Sequence, residues 1–476
     1  MELHIVIEGD KDLSGQLYRQ LAEAIRSGRL GDGQQIPPSR LLATQLGVSR
    51  KTVSEAYARL TYDKLLVGRI GKGSFVRAGA SAPARQLAGH ELASAELLAK
   101  WDAIATPFRI PRTEDRPRYD FIGGAAAPGH FPTEAWRRCV LHALRQDAER
   151  GRYAPTAGVP ELRAAIARHA AFARGVVCTG ERVVVTSGAQ QALDLLGRVL
   201  LAPGSIVAVE DPGYPPVRAL YASQGARVVG VPVDDEGIVV DQIPDGTRLI
   251  YVTPAHQLPL GMPMSPARRV ALLERARQLG AIVIEDDYDS EFRYEGRPTD
   301  SLQSMDRHGL VVFVGTFSKI LLPELRLGYM VLPPAIENAV LTAKHLSDWH
   351  TGTMMQYALA KFIDDGYLLK HIRRSHAVYA SRRAKLQQLI GTELAPWFRL
   401  VPSTAGFHMT ARCTELINLA ALIKLARRAD IGLYSIEGFY HSAPPLPGLL
   451  FGYGSINTID IEPALKNVRN LLSDCS

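Results

Sequence analysis

The apolar run Leu310 to Val314 ends in Gly315-Thr316-Phe317-Ser318-Lys319, so a buried strand delivers one lysine to the edge of a sheet. Desolvation there favours the neutral amine, the nucleophile of Schiff-base chemistry. Upstream, Ala281 to Ile284 runs into Glu285-Asp286-Asp287-Tyr288, a second buried strand that ends in carboxylates. An amine to attach it and an acid to keep its pyridine nitrogen protonated are what pyridoxal phosphate needs from a protein. Lys319 is the candidate anchor. The alternation Ile282, Ile284, Asp286 favours Asp286 as the acid, with Asp287 as the alternative.

These residues need a scaffold of strands with exposed ends. Apolar runs recur at Arg182 to Val185, Ile206 to Val209, Arg248 to Val252, Ala281 to Ile284 and Leu310 to Val314, separated by helical stretches. That order predicts an α/β fold with a mostly parallel sheet over about Tyr119 to Ser476. Ligands of such sheets sit beyond the C-terminal ends of the strands. Thr186-Ser187-Gly188-Ala189-Gln190 falls there, before a helix from Gln191 to Leu200, and its small residues leave backbone N–H groups open to a phosphate. Asp211-Pro212-Gly213-Tyr214 offers an aromatic ring to a flat heterocycle. Thr253 to Gly261 brings His256 and Gln257, and Arg326 carries a fork suited to a phosphate.

The chain has 476 residues, 46% of them hydrophobic, and a net charge of +7. No apolar run reaches membrane-spanning length, and the N-terminus lacks the pattern of a signal peptide, so a cytoplasmic protein is expected. Cys139, Cys178, Cys413 and Cys475 lie far apart without C-x-x-C spacing, which argues against a zinc site or a disulfide framework. The basic excess is concentrated: Arg50 to Arg77 holds seven Lys or Arg against Glu55 and Asp63. Such a footprint suits a phosphate backbone.

Residues 1–78 read as a small domain of their own. Leu17, Leu21, Ala24 and Ile25 mark an amphipathic helix from Ser14 closed by Gly28. Ser39 is the expected N-cap of a second helix that Gly47 stops, and Ser49 caps a third, Arg50 to about Tyr62, whose inward face is Val53, Ala56, Tyr57 and Leu60. This is a helix-turn-helix, with Arg50, Lys51 and Thr52 at the end that enters the major groove. Leu65 to Val76 alternates and carries three glycines, a hairpin with Arg69 and Lys72 near its tip. Residues 79–118 read as a mostly extended, alanine- and proline-bearing linker, with helical spacing only from Glu91 to Ile104.

The N-terminal segment resembles the GntR-type winged-helix family. It carries Leu17-Tyr18-Arg19-Gln20-Leu21, the run Pro37 to Leu60 with Leu46-Gly47-Val48-Ser49-Arg50, and the glycine-bearing wing Gly71 to Val76. The resemblance implies binding of double-stranded DNA, with Arg40, Ser49, Arg50, Lys51 and Thr52 at the duplex and Arg69 and Lys72 on the wing. Asp63-Lys64 departs from the acidic residue and glycine often found there. The rest of the chain is similar to the fold type I pyridoxal phosphate proteins, the aminotransferase family. That likeness implies that Lys319 forms the internal aldimine, Asp286 pairs with the pyridine nitrogen, Tyr288 meets the phenolic oxygen and Tyr214 stacks on the ring. Ser187, Gly188, Ala189, Ser318 and Arg326 would hold the phosphate. Tyr153, in Tyr153 to Gly158, would reach the phosphate of a neighbouring subunit, which implies a homodimer. The two parts in this order resemble the MocR subfamily of GntR regulators.

Two departures bear on function. Aminotransferases place an asparagine before the Pro-x-Gly that contacts the cofactor oxygen; here Leu258 precedes Pro259, leaving His256 or Gln257 for that place. Their C-terminal arginine for the substrate carboxylate has no counterpart in Leu449 to Gly454. The expectation is a pyridoxal phosphate-dependent transcriptional regulator that senses the cofactor, an amino acid or an amine. A working aminotransferase with an appended DNA-binding domain is the alternative.

Overall fold

A computed structural model describes residues 5–69, 71–79, 95–107, 116–126, 128–145, 152–296, 300–414 and 417–473. The chain divides into two units, Met1–Leu98 and Ala99–Ser476.

In the first unit, α1 (Leu13–Arg26), α2 (Ser39–Leu46) and α3 (Arg50–Tyr62) precede a hairpin of β1 (Leu66–Arg69) and β2 (Gly73–Val76). The apolar positions at helical spacing are the ones buried: Leu17, Leu21 and Ile25 of α1 meet Val53, Ala56 and Leu60 of α3, with Leu42, Leu66 and Val76 closing the cluster. Each large aliphatic side chain buried this way contributes about 1.5–3 kcal/mol. Gly47 ends α2 in the left-handed region at φ 67. Ser49 caps α3 by accepting from the Thr52 N–H at 3.1 Å. Ser39 differs from expectation: it is the first helical residue, Pro38 stands at the cap position, and no side chain caps α2. Proline's fixed φ suits a helix entrance without a capping hydroxyl. Lys64, where the family often has glycine, takes φ 59 at the turn into the hairpin, a conformation that costs a non-glycine residue on the order of 1 kcal/mol. Most of the expected tether lies outside the described residues; the helical spacing after Glu91 is realised as α4 (Ala95–Asp102), with Leu97, Leu98 and Trp101 exposed.

The second unit is built on an eight-stranded sheet. In chain order its strands are β4 (Val183–Thr186), β5 (Ile206–Asp211), β6 (Arg227–Asp234), β7 (Gly237–Ile238), β8 (Thr247–Val252), β9 (Ile282–Asp287), β10 (Val311–Thr316) and β11 (Gly328–Val331). Across the sheet they run β4, β11, β10, β9, β8, β5, β6, β7. Neighbours from β10 to β6 are parallel, whereas β11 is antiparallel to both β10 and β4, and β7 to β6. Alternate residues enter different cores. Val207, Leu249, Ile284, Val312 and Val314 pack with Leu193 and Leu196 of the helix Ala189–Leu200. Ala208, Ile250, Val283 and Val311 pack on the opposite face with Leu272 and Ala276 of the helix Pro266–Leu279.

A smaller antiparallel sheet follows, in the order β12 (Phe398–Leu400), β13 (His408–Cys413), β16 (Gly448–Gly452), β15 (Tyr434–Ser435). Its core of Phe407, Met409, Leu449 and Phe451 packs against Leu386 and Ile390 of the 27-residue helix Tyr367–Glu393 and against Leu465 and Val468. The stretch β3 (Tyr119–Asp120) joins this part by pairing in parallel with β14 (Ile431–Gly432). No described helix is long and apolar enough to cross a membrane.

Candidate functional site

Strand parity decides which carboxylate serves the site. Asp286 and Asp287 are both buried at the end of β9, but they point to opposite faces. Asp287 is consumed by a buried ion pair with Arg174 and a hydrogen bond from Ser290 Oγ. Asp286 lies on the face of Ile284 and Tyr251. Its Oδ2 accepts from the Tyr251 hydroxyl at 2.5 Å, and its Oδ1 has no hydrogen-bond partner among the described residues. Burial pushes the Asp286 carboxyl up to about 6, against the Tyr251 bond, which holds it down. A buried carboxylate with a bare oxygen is a site awaiting a donor.

Lys319 follows β10, the neighbour of β9. Its Nζ donates to the Gly124 carbonyl at 2.7 Å. Burial lowers the pKa of this amine, while Asp289 and Asp286 pull it back up. Gly124 has φ 72, and a Cβ there would stand 3.0 Å from the Lys319 nitrogen, so the glycine lets the amine reach the backbone.

Ser187, Gly188, Ala189 and Arg326 are brought together at the end of β4. Gly188 is the cap residue of the helix Ala189–Leu200, at φ 84. The Arg326 guanidinium lies over it and donates to the Ser187 carbonyl at 2.8 Å. A Cβ on Gly188 would approach Arg326 Nη2 to 2.9 Å, so only glycine leaves the cation room. Helix N-terminus and guanidinium together make an anion cradle. The Ser187 N–H is held by Gln191 Oε1 at 2.8 Å. Ser318 is buried after β10, its N–H donating to Thr316 Oγ1 at 3.1 Å. Tyr214 stands before the helix Pro215–Ser223, its ring 6.4 Å from that of Tyr251 and stacked on it; burial raises its hydroxyl to about 12.

Gln257 is committed: its amide donates to the Pro212 and Leu258 carbonyls and its Oε1 accepts from the Leu260 N–H. His256 is buried with Nδ1 2.8 Å from Asp289 Oδ1, and Tyr288 donates its hydroxyl proton to the His256 carbonyl at 2.8 Å. His408, on β13, places its ring 4.3 Å from that of His256. Tyr153 makes no part of this group; it is 75% exposed, its ring 4.4 Å from Trp349. The position expected to lack an arginine is filled by apolar packing: β16 is buried throughout, and a Cβ on Gly123 would lie 2.5 Å from Leu450 Cδ2.

Sequence reasoning missed Tyr251, Asp289, His408 and the Gly124 carbonyl. Tyr251 was within reach, because it shares the parity of Leu249 on an apolar run already identified. His408 lies 152 positions from His256 and 119 from Asp289, its neighbours in space, and leaves no local period. The three described cysteines are free.

In the first unit, Arg40, Arg50, Lys51, Arg69 and Lys72 are exposed and Thr52 is half-buried at the start of α3. Arg50 and Lys51 open α3, where helix dipole and side-chain charge add. Arg69 lies over the Phe75 ring at 4.7 Å, which fixes the guanidinium on the hairpin.

Fold and site define a regulator of two parts, a DNA-binding winged helix and a domain shaped for pyridoxal phosphate. Residues 13–76 match the family described as bacterial regulatory proteins, gntR family, and residues 126–445 match aminotransferase class I and II. The chain is 33% identical over 477 residues to a probable rhizopine catabolism regulatory protein MocR of Rhizobium meliloti, covering 98% of this chain and 95% of that one. It is 30% identical to the pyridoxine biosynthesis transcriptional regulator PdxR of Corynebacterium glutamicum, over 96% of this chain and 95% of the relative. Among solved structures, the kynurenine aminotransferase of Pyrococcus horikoshii superposes with a TM-score of 0.70 at 27% identity, covering 81% of this chain and 95% of that one. The chain therefore belongs to the MocR-type GntR regulators, DNA-binding transcriptional regulators whose second domain is of the aminotransferase class I and II family. Pyridoxal 5'-phosphate is the cofactor of such a domain, and the Asp286 oxygen without a partner among the described residues, the half-buried Lys319 amine and the Arg326–Gly188 cradle fit it.

Proposed function

We propose that this regulator responds to pyridoxal phosphate bound at Lys319, and to an amino acid or amine that meets the cofactor there. The observation that carries the reading is the partnerless Asp286 oxygen, on the same sheet edge as the Lys319 amine. In it, Asp286 holds the pyridine nitrogen, Tyr214 stacks on the ring and Tyr288 hydrogen-bonds the phenolic oxygen. Ser187, Gly188, Ala189, Ser318 and Arg326 hold the phosphate. The cofactor, when bound, supplies an electrophilic carbon and an electron sink; this chain supplies the amine at Lys319 Nζ, whose pKa burial lowers, and the carboxylate of Asp286. Occupancy then biases which arrangement of DNA-binding units is populated.

The molecule acts in the cytoplasm as a homodimer. Tyr153 and Trp349 are exposed apolar side chains with rings 4.4 Å apart, surface of the kind that partners cover, and Tyr153 would reach the partner's phosphate. Residues 1–78 serve as the DNA-binding domain, 79–118 as linker and 119–476 as cofactor domain. Arg40, Ser49, Arg50, Lys51 and Thr52 meet the duplex, with Arg69 and Lys72 on the wing.

The test is promoter control in the presence and absence of pyridoxal phosphate, for the natural protein and for Lys319→Ala. Loss of the cofactor-dependent part of regulation supports the reading. A Lys319→Ala protein with full cofactor-dependent control would sink it. Release of oxo acid over many turnovers, with an amino acid added, would favour the enzyme instead.

A further inference from the structure

We propose that Asp289 and His256 are a positioning pair for Tyr288, fixing its hydroxyl in the wall of the cofactor site. The proposal rests on the reading of Tyr288 as hydrogen-bond partner of the cofactor's phenolic oxygen; with its own proton on the His256 carbonyl, the Tyr288 oxygen is left to accept from the phenolic O–H.

Asp289 lies one residue past Tyr288 and its side chain is wholly buried. Its carboxylate sits at 2.8 and 3.1 Å from His256 Nδ1 and accepts from the Phe407 N–H at 3.3 Å. An ionised carboxylate only accepts, so the proton of this contact belongs to Nδ1. That assignment decides what Tyr288 does. Its hydroxyl oxygen is 3.2 Å from the same Nδ1 and 2.8 Å from the His256 carbonyl oxygen. With the Nδ1 proton committed to Asp289, the Tyr288 proton goes to the carbonyl. The residue whose ring Asp289 holds is therefore the residue whose backbone aims Tyr288.

The surroundings are shaped for this pair. Gly406 has φ 81, and a Cβ there would lie 2.0 Å from His256 Cε1 and 2.6 Å from Asp289 Oδ2. Gly261, at φ 91, would bring a Cβ to 3.3 Å from His256 Nε2. Two glycines in the left-handed region enclose the imidazole where any side chain would displace it. His408 packs on His256 and is nearly parallel to Tyr288, ring centres 6.3 Å apart. Burial lowers the His408 pKa to about 3, so it remains neutral and does not compete as a cation for Asp289.

The same three side chains could be read as metal ligands, because His256, Asp289 and His408 offer ligand atoms within 4.8 Å of one another. In a metal site the second nitrogen of each imidazole normally finds an acceptor. Here Nε2 of both histidines has no partner among the described residues, while His256 Nδ1 and Asp289 are already engaged with each other at 2.8 Å; metal content separates the two readings.

The experiment uses the full-length protein and compares Asp289→Asn, Tyr288→Phe and the double variant. The readouts are the affinity for added pyridoxal phosphate, the visible absorbance maximum of the bound cofactor, and metal content. Asp289→Asn is expected to weaken binding about tenfold, the scale of a lost charge-assisted hydrogen bond, and to move the absorbance maximum. In the Tyr288→Phe background it should do neither, because the pair acts through that hydroxyl. His256→Ala should reproduce Asp289→Asn and add nothing to it, and it stands in if the asparagine variant fails to fold. Equal losses with and without the Tyr288 hydroxyl would overturn the proposal and leave Asp289 a structural residue. One equivalent of a divalent metal, lost in both variants, would overturn it in favour of a metal site. If Tyr288→Phe itself binds the cofactor as the natural protein does, the role read for Tyr288 fails first and the pair falls with it.

Discussion

Replacing Asp286 by asparagine keeps the side-chain shape and an acceptor for Tyr251, and removes only the charge. The cost of that charge follows from its burial. The carboxyl moves from an ordinary 3.8 to about 6 in the folded protein, which at about 1.4 kcal/mol per pH unit is about 3 kcal/mol. The sign is that of a raised acid. Below pH 3.8 both folded and unfolded chains hold the proton and nothing is lost. As pH rises from there to about 6 the unfolded chain ionises first, and the cofactor-free protein loses stability by that amount. Asparagine escapes the loss. Cofactor-free Asp286→Asn should therefore be more stable than the natural protein at pH 7.5 by about 3 kcal/mol at most, and equal to it near pH 4. Adding pyridoxal phosphate should reverse the order, because a pyridinium N–H repays the buried charge and asparagine cannot; the variant's affinity should fall by about 10–100-fold. Denaturation at several pH values, with and without cofactor, reads both effects. Equal stabilities at pH 7.5, or unchanged affinity, would refute the argument that Asp286 is a charge held in reserve.

Arg50→Ala and Lys72→Ala should each weaken operator binding, and the slope of log affinity against log salt should shrink by about 1 for each phosphate contact removed; unchanged slopes would place α3 or the hairpin away from the duplex. Ser49→Ala removes the cap on α3 at a cost of about 1 kcal/mol, to be seen as faster amide exchange across Arg50–Tyr62. Asp287→Ala strands the Arg174 cation in the core, a loss of about 3–5 kcal/mol. Its thermal unfolding should fall well below that of Asp286→Asn, and similar midpoints would contradict the division of labour between the two aspartates.

Five strands of the large sheet were legible because each is an apolar run bounded by turn residues, and all but β10 lead into an α-helix. The unread strands explain themselves. In β6, Gly230 and Pro232 break the apolar run; Gly230 is there because a Cβ would strike Asp211 Oδ2 at 2.6 Å. β11 has only four residues and runs against its neighbours, so neither length nor helix alternation announces it. The winged helix was readable almost residue by residue, since its core obeys local periodicity; α1 ends at Arg26 with Ser27 as its cap, just before Gly28, and the cap of α2 moved because Pro38 can open a helix that Ser39 was expected to cap. Parity set Asp286 on the face of Ile282 and Ile284, for the same local reason, and in the structure that side chain meets Tyr251. Asp289 meets His256 and His408 through three separate segments, a meeting that spacing along the chain does not encode.

The opposed aspartates also say what kind of genetic change β9 can bear. Substitutions along Ile282–Val283–Ile284 alter volume in one core or the other and can be absorbed by repacking. Loss of a single codon there is another matter. With the strand shortened by one residue and its start held, Asp287 would turn toward Tyr251 and the next residue, Tyr288, would be carried to the face where Arg174 waits. One deletion would then remove the counter-charge of a buried arginine and misplace Tyr288 together. In a collection of natural variants this strand should vary in composition and keep its length.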